Sequence, residues 1–561
     1  MPLLLRAAFH HSYIHLSVRP PAITRQRPVT LHLNIRPSSS NTRKMSQLTE
    51  CPVAVSFIFQ FPGGDEARTP RVALFRRSGQ VSTYQHKLAP ISGGVEVTDA
   101  NPLATAWREL REETTLTSAS LKLFRKGKPY SFTDPDVGRI WTINPFAFIL
   151  KPAEEGESDG QGITIDWEHE GYEWFNPDDI TDDESFQGVP RLKESLRRVW
   201  FDIDLGKEAG GALAASLRSL QTDHENGAGL LAVAAYYHLY EDVIPKLDRS
   251  DRDMWWRNVR FAAWHLWING RESMGAPILS GMLSILDHID EKLQTGIEGA
   301  LTREHVQQLC DKISAIRVQK DMAGTNIARA FSTFLRTSSR FRPRANGEAV
   351  KIVTLSSSST ILNTVCRGLT SPPWYVPLDV RVLESRPLFE GVKTARQIAS
   401  VMQNNVNANA TSKVSVYTDA SAALASKDAQ ILLLGADLID KSGNVCNKMG
   451  SLPAVLAAKH VSPGVKVVVL TEKSKICPFD PPGYEENDAE EVVAAWRMNT
   501  IGATGLWDMR RKADVRNVYF EWVPASLVDI YLTEDGALSM EQLLALATEV
   551  EEKANRYFDS L

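Results

Sequence analysis

The stretch GGVEVTDANPLATAWRELREETTL, residues 93–116, decides the fold of the first part of the chain. Asn101 suits the cap of a helix because its side chain can accept a hydrogen bond from a free backbone N–H. Pro102 suits the first helical turn, where the missing N–H costs nothing. The pattern therefore predicts a helix over Pro102–Thr114, after a Gly-Gly turn.

Three glutamates of this predicted helix share one face. Glu109, Glu112 and Glu113 occupy positions i, i+3 and i+4, which lie next to one another on a helix surface. Carboxylates this close repel one another unless a cation lies among them, and Mg²⁺ prefers carboxylate and water oxygens. Spacing alone leaves a second interpretation open, in which Arg108 and Arg111 neutralise a solvated acidic face.

The same stretch resembles the Nudix box, in which a Gly is followed by a Glu and then by an Arg-Glu-aliphatic-x-Glu-Glu core. The residues in register are Gly94, Arg108, Glu109, Leu110, Glu112 and Glu113. The resemblance implies a Nudix hydrolase domain, an α/β/α sandwich that hydrolyses a nucleoside diphosphate-linked metabolite with Mg²⁺, or with Mn²⁺. It implies the metal ligands Glu109, Glu112 and Glu113, the catalytic residues Glu112, Glu113 and Arg108, and substrate contact at Gly94.

Two positions depart from the Nudix pattern. The first Glu of the box falls on Ala100, with Asp99 one residue away, and the late Gly falls on Thr115. These departures leave open that the domain is only a docking module. Downstream, Glu168 or Glu170 is a candidate for an additional acid or base.

The rest of the chain changes character twice. Residues 206–345 carry apolar residues at helical spacing, which predicts a helical linker and subdomain. From Val350 short Val/Ile/Leu strands alternate with helical segments, as a parallel sheet covered on both faces requires. The expected fold class is thus a doubly wound, Rossmann-like sheet, whose ligands bind at the carboxyl ends of the strands. No GxGxxG follows its first strand, which argues against a dinucleotide site.

A second polar constellation follows one predicted strand of this sheet. The segment GADLIDKSGNVCNKMG, residues 435–450, places Asp437 where a general acid or base is useful. Asn447 and Lys448 can bind hydroxyls and phosphate. By spacing alone, an Asp after a strand is more often a helix cap or a turn residue.

This half of the chain is similar to methylthioribose-1-phosphate and ribose-1,5-bisphosphate isomerases, and to the alpha, beta and delta regulatory subunits of the exchange factor for translation initiation factor two. Its agreeing blocks are Gly275–Pro277, Glu384–Gly391, Asp419–Ala422, Gly435–Gly450 and Phe520–Gly536. The resemblance implies a homodimer and the following site residues: catalytic Asp437 and Ser356, and substrate-binding Arg386, Asn447, Lys448 and Arg271. Ser356 replaces a family Cys, and Met274 replaces a family Arg. The resemblance thus implies that this half isomerises a sugar phosphate, either ribose-1,5-bisphosphate or methylthioribose-1-phosphate. The alternative function is a translation-factor-like regulatory protein that binds a nucleotide or sugar phosphate without turnover and associates with translation-factor subunits.

Composition sets the remaining expectations. The net charge of −5 gives no basic field for nucleic acid, and no apolar run is long enough to span a membrane. The five cysteines form no CxxC pair, which fits a reducing compartment. Residues 1–49 lack Asp and Glu, which is typical of a mitochondrial presequence, although a disordered extension or a start at Met45 is also open. We expect a cytoplasmic protein, or a mitochondrial one if the presequence is real, with domains over 50–205, 206–345 and 346–550.

Overall fold

The computed structural model describes residues 48–561 except 62–69, 152–161, 225, 295–298, 311–312, 342–347, 371–376, 405–411, 480–484, 486 and 498–514. The predicted extension over residues 1–49 therefore lies almost wholly outside the described residues. Residues 49–561 cluster as one unit by their internal contacts. The predicted domain boundaries near residues 205 and 345 consequently stay predictions.

The first part of the chain forms a mixed sheet between two helices. Its strands are β1 (Thr49–Gln60), β2 (Arg71–Arg77), β3 (Leu88–Ala89), β4 (Ile91–Gly94), β5 (Leu121–Lys126), β6 (Tyr130–Asp134), β7 (Arg139–Leu150) and β8 (His169–Phe175), and its helices are α1 (Pro102–Thr114) and α2 (Leu192–Leu196). The main path runs β3-β2-β1-β7-β5, with β1 and β7 parallel. Phe57 packs with α2 on one face and Ile58 packs with α1 on the other. The predicted α/β/α sandwich is confirmed.

The ends of α1 follow from local chemistry. The Asn101 side chain accepts a hydrogen bond from the Ala104 N–H at 3.0 Å, and Pro102 occupies the first turn. At the other end Thr115 takes the left-handed conformation, with φ of 63°, and its N–H bonds the Arg111 carbonyl. The predicted helix Pro102–Thr114 therefore has the observed bounds.

A helical region connects the two sheets. It contains α3 (Asp202–Thr222), α4 (Ala228–Tyr237), α5 (Arg252–Asn269), α6 (Gly275–Gln294), α7 (Arg303–Cys310) and α8 (Ile313–Thr337). Its core includes Trp255, whose side chain is fully buried. In the described part of the chain, no helix is both long and apolar enough to cross a membrane.

The second sheet is parallel except at one edge. Its strands are β9 (Val350–Leu355), β10 (Leu378–Leu383), β11 (Lys413–Tyr417), β12 (Ile431–Leu434), β15 (Lys466–Leu470), β17 (Ile530–Thr533) and β18 (Gly536–Leu538), and a small sheet holds β13 (Leu438–Ile439), β14 (Val445–Lys448) and β16 (Phe520–Val523). The accompanying helices are α9 (Ser359–Thr370), α10 (Glu390–Asn404), α11 (Ala422–Ala425), α12 (Ser451–Val461), α13 (Ala489–Arg497) and α14 (Met540–Phe558). The strand order is β11-β10-β9-β12-β15-β17-β18, so the order in which strands are added reverses between the parallel neighbours β9 and β12.

Both faces of this sheet are covered by helices. Val353 and Leu432 pack in a core with α11, α12 and α14, whereas Ile352 and Leu433 pack in a core with α8, α9 and α10. Neighbouring residues of one strand thus serve two cores, which explains the continuous apolar runs in the sequence. The predicted doubly wound sheet is confirmed.

Candidate functional site

The three glutamates of α1 lie in three different surroundings. Glu109 is 14% exposed and accepts a hydrogen bond from Arg108 Nη1 at 2.6 Å. Glu113 is buried, and its Oε2 lies 2.6 Å from His169 Nε2. Glu112 is half exposed and lies 3.3 Å from Arg108 Nη1. The helix face therefore brings Glu109 and Glu113 within hydrogen-bonding reach of each other, while Glu112 pairs with arginine.

Arg108 connects helix α1 to the loop that precedes it, through hydrogen bonds of its guanidinium. Its Nη2 donates to Asp99 Oδ2 at 3.0 Å and to the Gly94 carbonyl at 3.1 Å, and its Nε donates to Asp99 at 3.3 Å. The hydrogen bond from Arg108 lowers the pKa of Asp99 and raises that of Arg108 itself. Asp99 thus supplies a carboxylate next to the position where the motif has Glu and this chain has Ala100.

Electrostatics set Glu109 and Glu113 apart from surface carboxylates. Burial raises the pKa of Glu113, and the negative charges of Glu109 and Glu168 raise it further. Burial also raises the pKa of Glu109, against the opposing effect of Arg108. Burial lowers the pKa of His169 to about 4, so its imidazole is neutral at physiological pH. Two adjacent carboxyls in this setting resist being ionised together.

The sequence did not single out Arg77 and His169, which complete this cluster. Burial lowers the pKa of Arg77, whereas the charges of Glu113 and Glu168 oppose that shift. The pairing of β2 with β8 contains a bulge, so that Arg77 pairs with His169 and Glu170 has no residue opposite it on β2. Bulges re-aim side chains, and this one follows from cross-strand pairing that no local sequence pattern displays.

The two other acidic candidates from the sequence separate in the structure. Burial and the charge of Asp166 raise the pKa of Glu168, which interacts with Glu109. Glu170 instead lies 2.7 Å from His86 Nδ1 at the exposed surface. Glu168 therefore belongs to the carboxylate cluster of α1, and Glu170 does not.

The neighbouring glycines play different parts. A Cβ built on Gly93 would lie 1.8 Å from Glu109 Oε1, whereas one built on Gly94 meets nothing within 4 Å. Gly94, the residue predicted to contact substrate, contributes its carbonyl to Arg108. Gly93 is therefore the glycine whose missing side chain makes room for Glu109, a candidate metal ligand.

Divalent-metal chemistry fits the donors of this cluster. Within the described ranges, no three His, Cys, Asp or Glu side chains already converge as a complete metal-ligand set. However, Glu109 and Glu113 are adjacent, partly to fully buried carboxyls whose ionisation is opposed by their burial and by mutual repulsion. A hard divalent cation removes that repulsion and prefers such oxygen donors. Arg108 neutralises only part of the cluster.

A second candidate site is a cavity of about 1080 Å³ at the carboxyl ends of β9 and β12. The strand order reverses between these two strands, which is where open α/β sheets bind ligands. Five of the predicted residues line this cavity: Arg271, Ser356, Asp437, Asn447 and Lys448. The structure thus gathers, in one place, side chains that are up to 177 positions apart in the sequence.

Asp437 is the acidic group at the end of β12. Burial raises its pKa, although Lys475, Lys448 and Arg271 act in the opposite direction. Its backbone N–H bonds the Cys446 carbonyl at 2.9 Å, which starts the β13–β14 hairpin. A carboxyl with a raised pKa in a cavity is suited to general acid–base chemistry.

The two cavity cations predicted from the sequence, Lys448 and Arg271, already have partners. Lys448 Nζ lies 2.7 Å from Glu390 Oε1. Arg271 is buried, donates to Glu485 Oε1 at 2.9 Å and donates to the Asp223 carbonyl at 2.7 Å. An anionic ligand would therefore have to share these cations with protein carboxylates.

A series of hydrogen bonds across neighbouring strand ends holds Ser356 at the end of β9. It takes a left-handed φ of 67°, and its N–H donates to Ser385 Oγ at 2.7 Å. Asp419 in turn accepts from the Ser385 and Arg386 N–H groups at 2.9 and 2.8 Å. Arg386 is not among the residues lining the cavity, and its guanidinium donates to the Val492 carbonyl instead.

Known families match both halves of the chain. Residues 52–199 match the family model described as NUDIX domain, and residues 279–540 match the one described as Initiation factor 2 subunit family. These matches confirm the two resemblances noted in the sequence. The predicted homodimer, translation-factor partners and cellular location stay predictions.

Individual relatives each align with less than half of the chain. Ribose 1,5-bisphosphate isomerase of Archaeoglobus fulgidus is 26% identical over 230 residues, or 40% of this chain and 66% of that protein. Methylthioribose-1-phosphate isomerase of Dechloromonas aromatica is 29% identical over 220 residues, or 36% of this chain and 58% of that protein. The chain thus spans less than two thirds of the length of either relative.

A solved structure, the translation initiation factor eIF-2B of Pyrococcus horikoshii, aligns with 58% of this chain and 96% of its own, at 20% identity and a TM-score of 0.40. The chain contains a NUDIX domain followed by a domain of the Initiation factor 2 subunit family.

Proposed function

We propose that the NUDIX domain hydrolyses the diphosphate linkage of a nucleoside diphosphate-linked metabolite with Mg²⁺, or with Mn²⁺. The observation that carries the proposal is the pair of adjacent carboxyls, Glu109 and Glu113, whose ionisation is opposed by burial and by each other. These two residues and Glu112 would hold the ion. When bound, such an ion neutralises diphosphate oxygens and makes a bound water more acidic.

Other residues of the cluster have separate tasks in this proposal. Arg108 orients Glu109 through the 2.6 Å hydrogen bond and keeps the loop closed on α1 through Gly94. Glu168, with its raised pKa, would accept a proton from the attacking water. Arg77 supplies positive charge beside Glu113. Together these residues would orient the metal ligand Glu109, deprotonate the attacking water and add positive charge beside Glu113.

The test is turnover of a panel of diphosphate metabolites by the full chain with Mg²⁺. Glu113→Gln and Glu112→Gln should each lower kcat by about 100-fold or more, as loss of a catalytic acid–base or charge-stabilising group does. The matched control is Glu173→Gln on β8, whose exposed carboxylate meets Arg76 at 3.4 Å. No turnover of any compound, or glutamine variants as active as the control, would refute the hydrolase assignment.

We also propose that the second cavity binds a sugar phosphate, as the names of the relatives suggest. Asp437 would serve as acid or base, Asn447 would bind hydroxyls, and Lys448 and Arg271 would attract the phosphate. Ser356 stands where the resembling isomerases have a thiol, and a hydroxyl gives up its proton far less readily. The proposal is therefore tight binding with slow isomerisation.

Calorimetric titration with ribose-1,5-bisphosphate and methylthioribose-1-phosphate tests the second site. Asp437→Asn should weaken binding by about tenfold or more, because charged hydrogen-bonding groups contribute roughly 1.5–3 kcal/mol. Asp428→Asn is the matched control, since Asp428 precedes β12 at the opposite strand end and asparagine tolerates its left-handed φ of 58°. Equal affinities in both variants would contradict the assignment.

A further inference from the structure

The contact between His169 and Glu113 is more than a packing contact. Nε2 and Oε2 are 2.6 Å apart, and the two side chains are 1% and 4% exposed. The other ring nitrogen, Nδ1, is buried and has no hydrogen-bond partner among the described residues. Burying an unpaired polar atom costs free energy, so an apolar ring would suit this space better if packing were its only task.

We propose that His169 is a positioning residue, which donates its Nε2–H to Glu113 Oε2 and fixes that carboxylate beside Glu109 to hold the divalent ion. This inference rests on the proposed hydrolase function. Neither motif spacing nor the family match assigns a role to this histidine. It would act through Glu113 and would not itself touch the substrate.

The local structure explains why the His169 imidazole lies next to Glu113. The bulge of β8 sets His169 opposite Arg77, and the ring packs against Phe75 with centroids 5.2 Å apart. The turn before β8 is tied to the end of α1, because the Asp166 N–H donates to the Glu113 carbonyl at 3.2 Å. His169 is therefore held against the same helix turn that carries its partner.

The chemistry gives the contact a directional effect. A carboxylate has two oxygens, and an N–H donor that occupies Oε2 leaves Oε1 directed away from the imidazole. Outer hydrogen bonds of this kind hold metal ligands in place, and losing one typically costs about 10–100-fold in metal affinity. Because the pair is almost completely buried, water cannot easily replace the lost donor.

The experiment measures Mn²⁺ binding to the full chain by electron paramagnetic resonance of free Mn²⁺, without any substrate. His169→Phe and His169→Asn remove the donor at the Nε2 position, and each should weaken Mn²⁺ binding by about 10–100-fold. His169→Gln, whose amide reaches that position, should restore most of the affinity. His86→Asn is the matched control, because His86 makes a 2.7 Å contact with Glu170 but is exposed.

The outcomes separate this inference from the function on which it rests. If the unmodified chain binds no Mn²⁺, the hydrolase proposal fails and the role of His169 falls with it. If the chain binds Mn²⁺ and His169→Asn binds it equally well, only the positioning role is refuted. A loss in His169→Gln as large as in His169→Phe would also refute the donor role. Circular dichroism checks folding, and His169→Asn decides if His169→Phe does not fold.

Discussion

Substituting Gly93 with alanine is the most direct test of the first site. The added Cβ would lie 1.8 Å from Glu109 Oε1, 2.0 Å from Cδ and 2.5 Å from Cγ. Ordinary contact begins at 3.4 Å, so the carboxylate has to move by roughly 1.6 Å. The clashing atoms belong to the Glu109 side chain and not to the backbone, so we expect about 1–3 kcal/mol of destabilisation, the usual cost of an added carbon in a packed site. A displacement of that size costs on the order of 100-fold in activity.

The assay pairs kcat/KM and Mn²⁺ binding with a thermal melt, and Gly94→Ala is the control. A Cβ at Gly94 meets nothing within 4 Å, so Gly94→Ala should keep its activity and its melting temperature. Gly93→Ala should lose metal affinity and turnover while melting within about 5 °C of the unmodified chain. Unchanged metal binding in Gly93→Ala would show that Glu109 is not a ligand. Equal losses in both variants would show that the loop, and not Glu109, is at fault.

Three further predictions concern the second site. Burial raises the pKa of Asp437, so the folded chain loses stability as pH rises above the unfolded value of about 3.9. Asp437→Asn should therefore be more stable than the unmodified chain at pH 7 and no more stable near pH 3, as thermal melts at the two pH values will show. Arg271→Ala leaves the largely buried Glu485 without its guanidinium partner and should lower the free energy of unfolding by about 3–5 kcal/mol. Urea unfolding measures this loss, and a loss below about 1 kcal/mol would contradict the pairing. Ser356→Cys supplies a more acidic proton donor and should raise isomerisation of ribose-1,5-bisphosphate at least about tenfold in a coupled assay, whereas no gain would mean that the cavity does not position substrate for catalysis.

Local signals predicted much of the fold. The bounds of α1 follow from Asn101 and Pro102 at one end and a helix-ending turn at Thr115 at the other, all within fifteen residues of sequence. The parallel strands were visible because burial on both faces requires continuous apolar runs. By contrast, the sequence predicted no strand at Asn447 and Lys448, and they lie on β14. That strand exists because it pairs with β16, about seventy residues later, and such distant pairing leaves no local trace.

The candidate sites divide in the same way. Glu109 and Glu113 were predicted together because helix periodicity fixes their spacing. The importance of Gly93 over Gly94 depends on how β4 packs against α1, and His169 depends on a bulge in β8. Arg386 belongs to a matching block but does not line the cavity, because Asp419 holds its backbone and its guanidinium donates to the Val492 carbonyl.

The turn between α5 and α6 shows that the two halves of the chain share structure. On one side, Asn269 exchanges two hydrogen bonds with the backbone of Lys126 on β5, at 2.6 and 2.8 Å, and Glu272 meets the Lys126 ammonium at 2.6 Å. On the other side, Arg271 lines the cavity of the second site. Separating the NUDIX domain would leave backbone groups of Lys126 and the amide of Asn269 without these partners, at a cost of about 1–3 kcal/mol for each one that stays buried. Ligand and metal measurements therefore belong on the full chain, in which Asn269 and Arg271 hold the positions described for both sites.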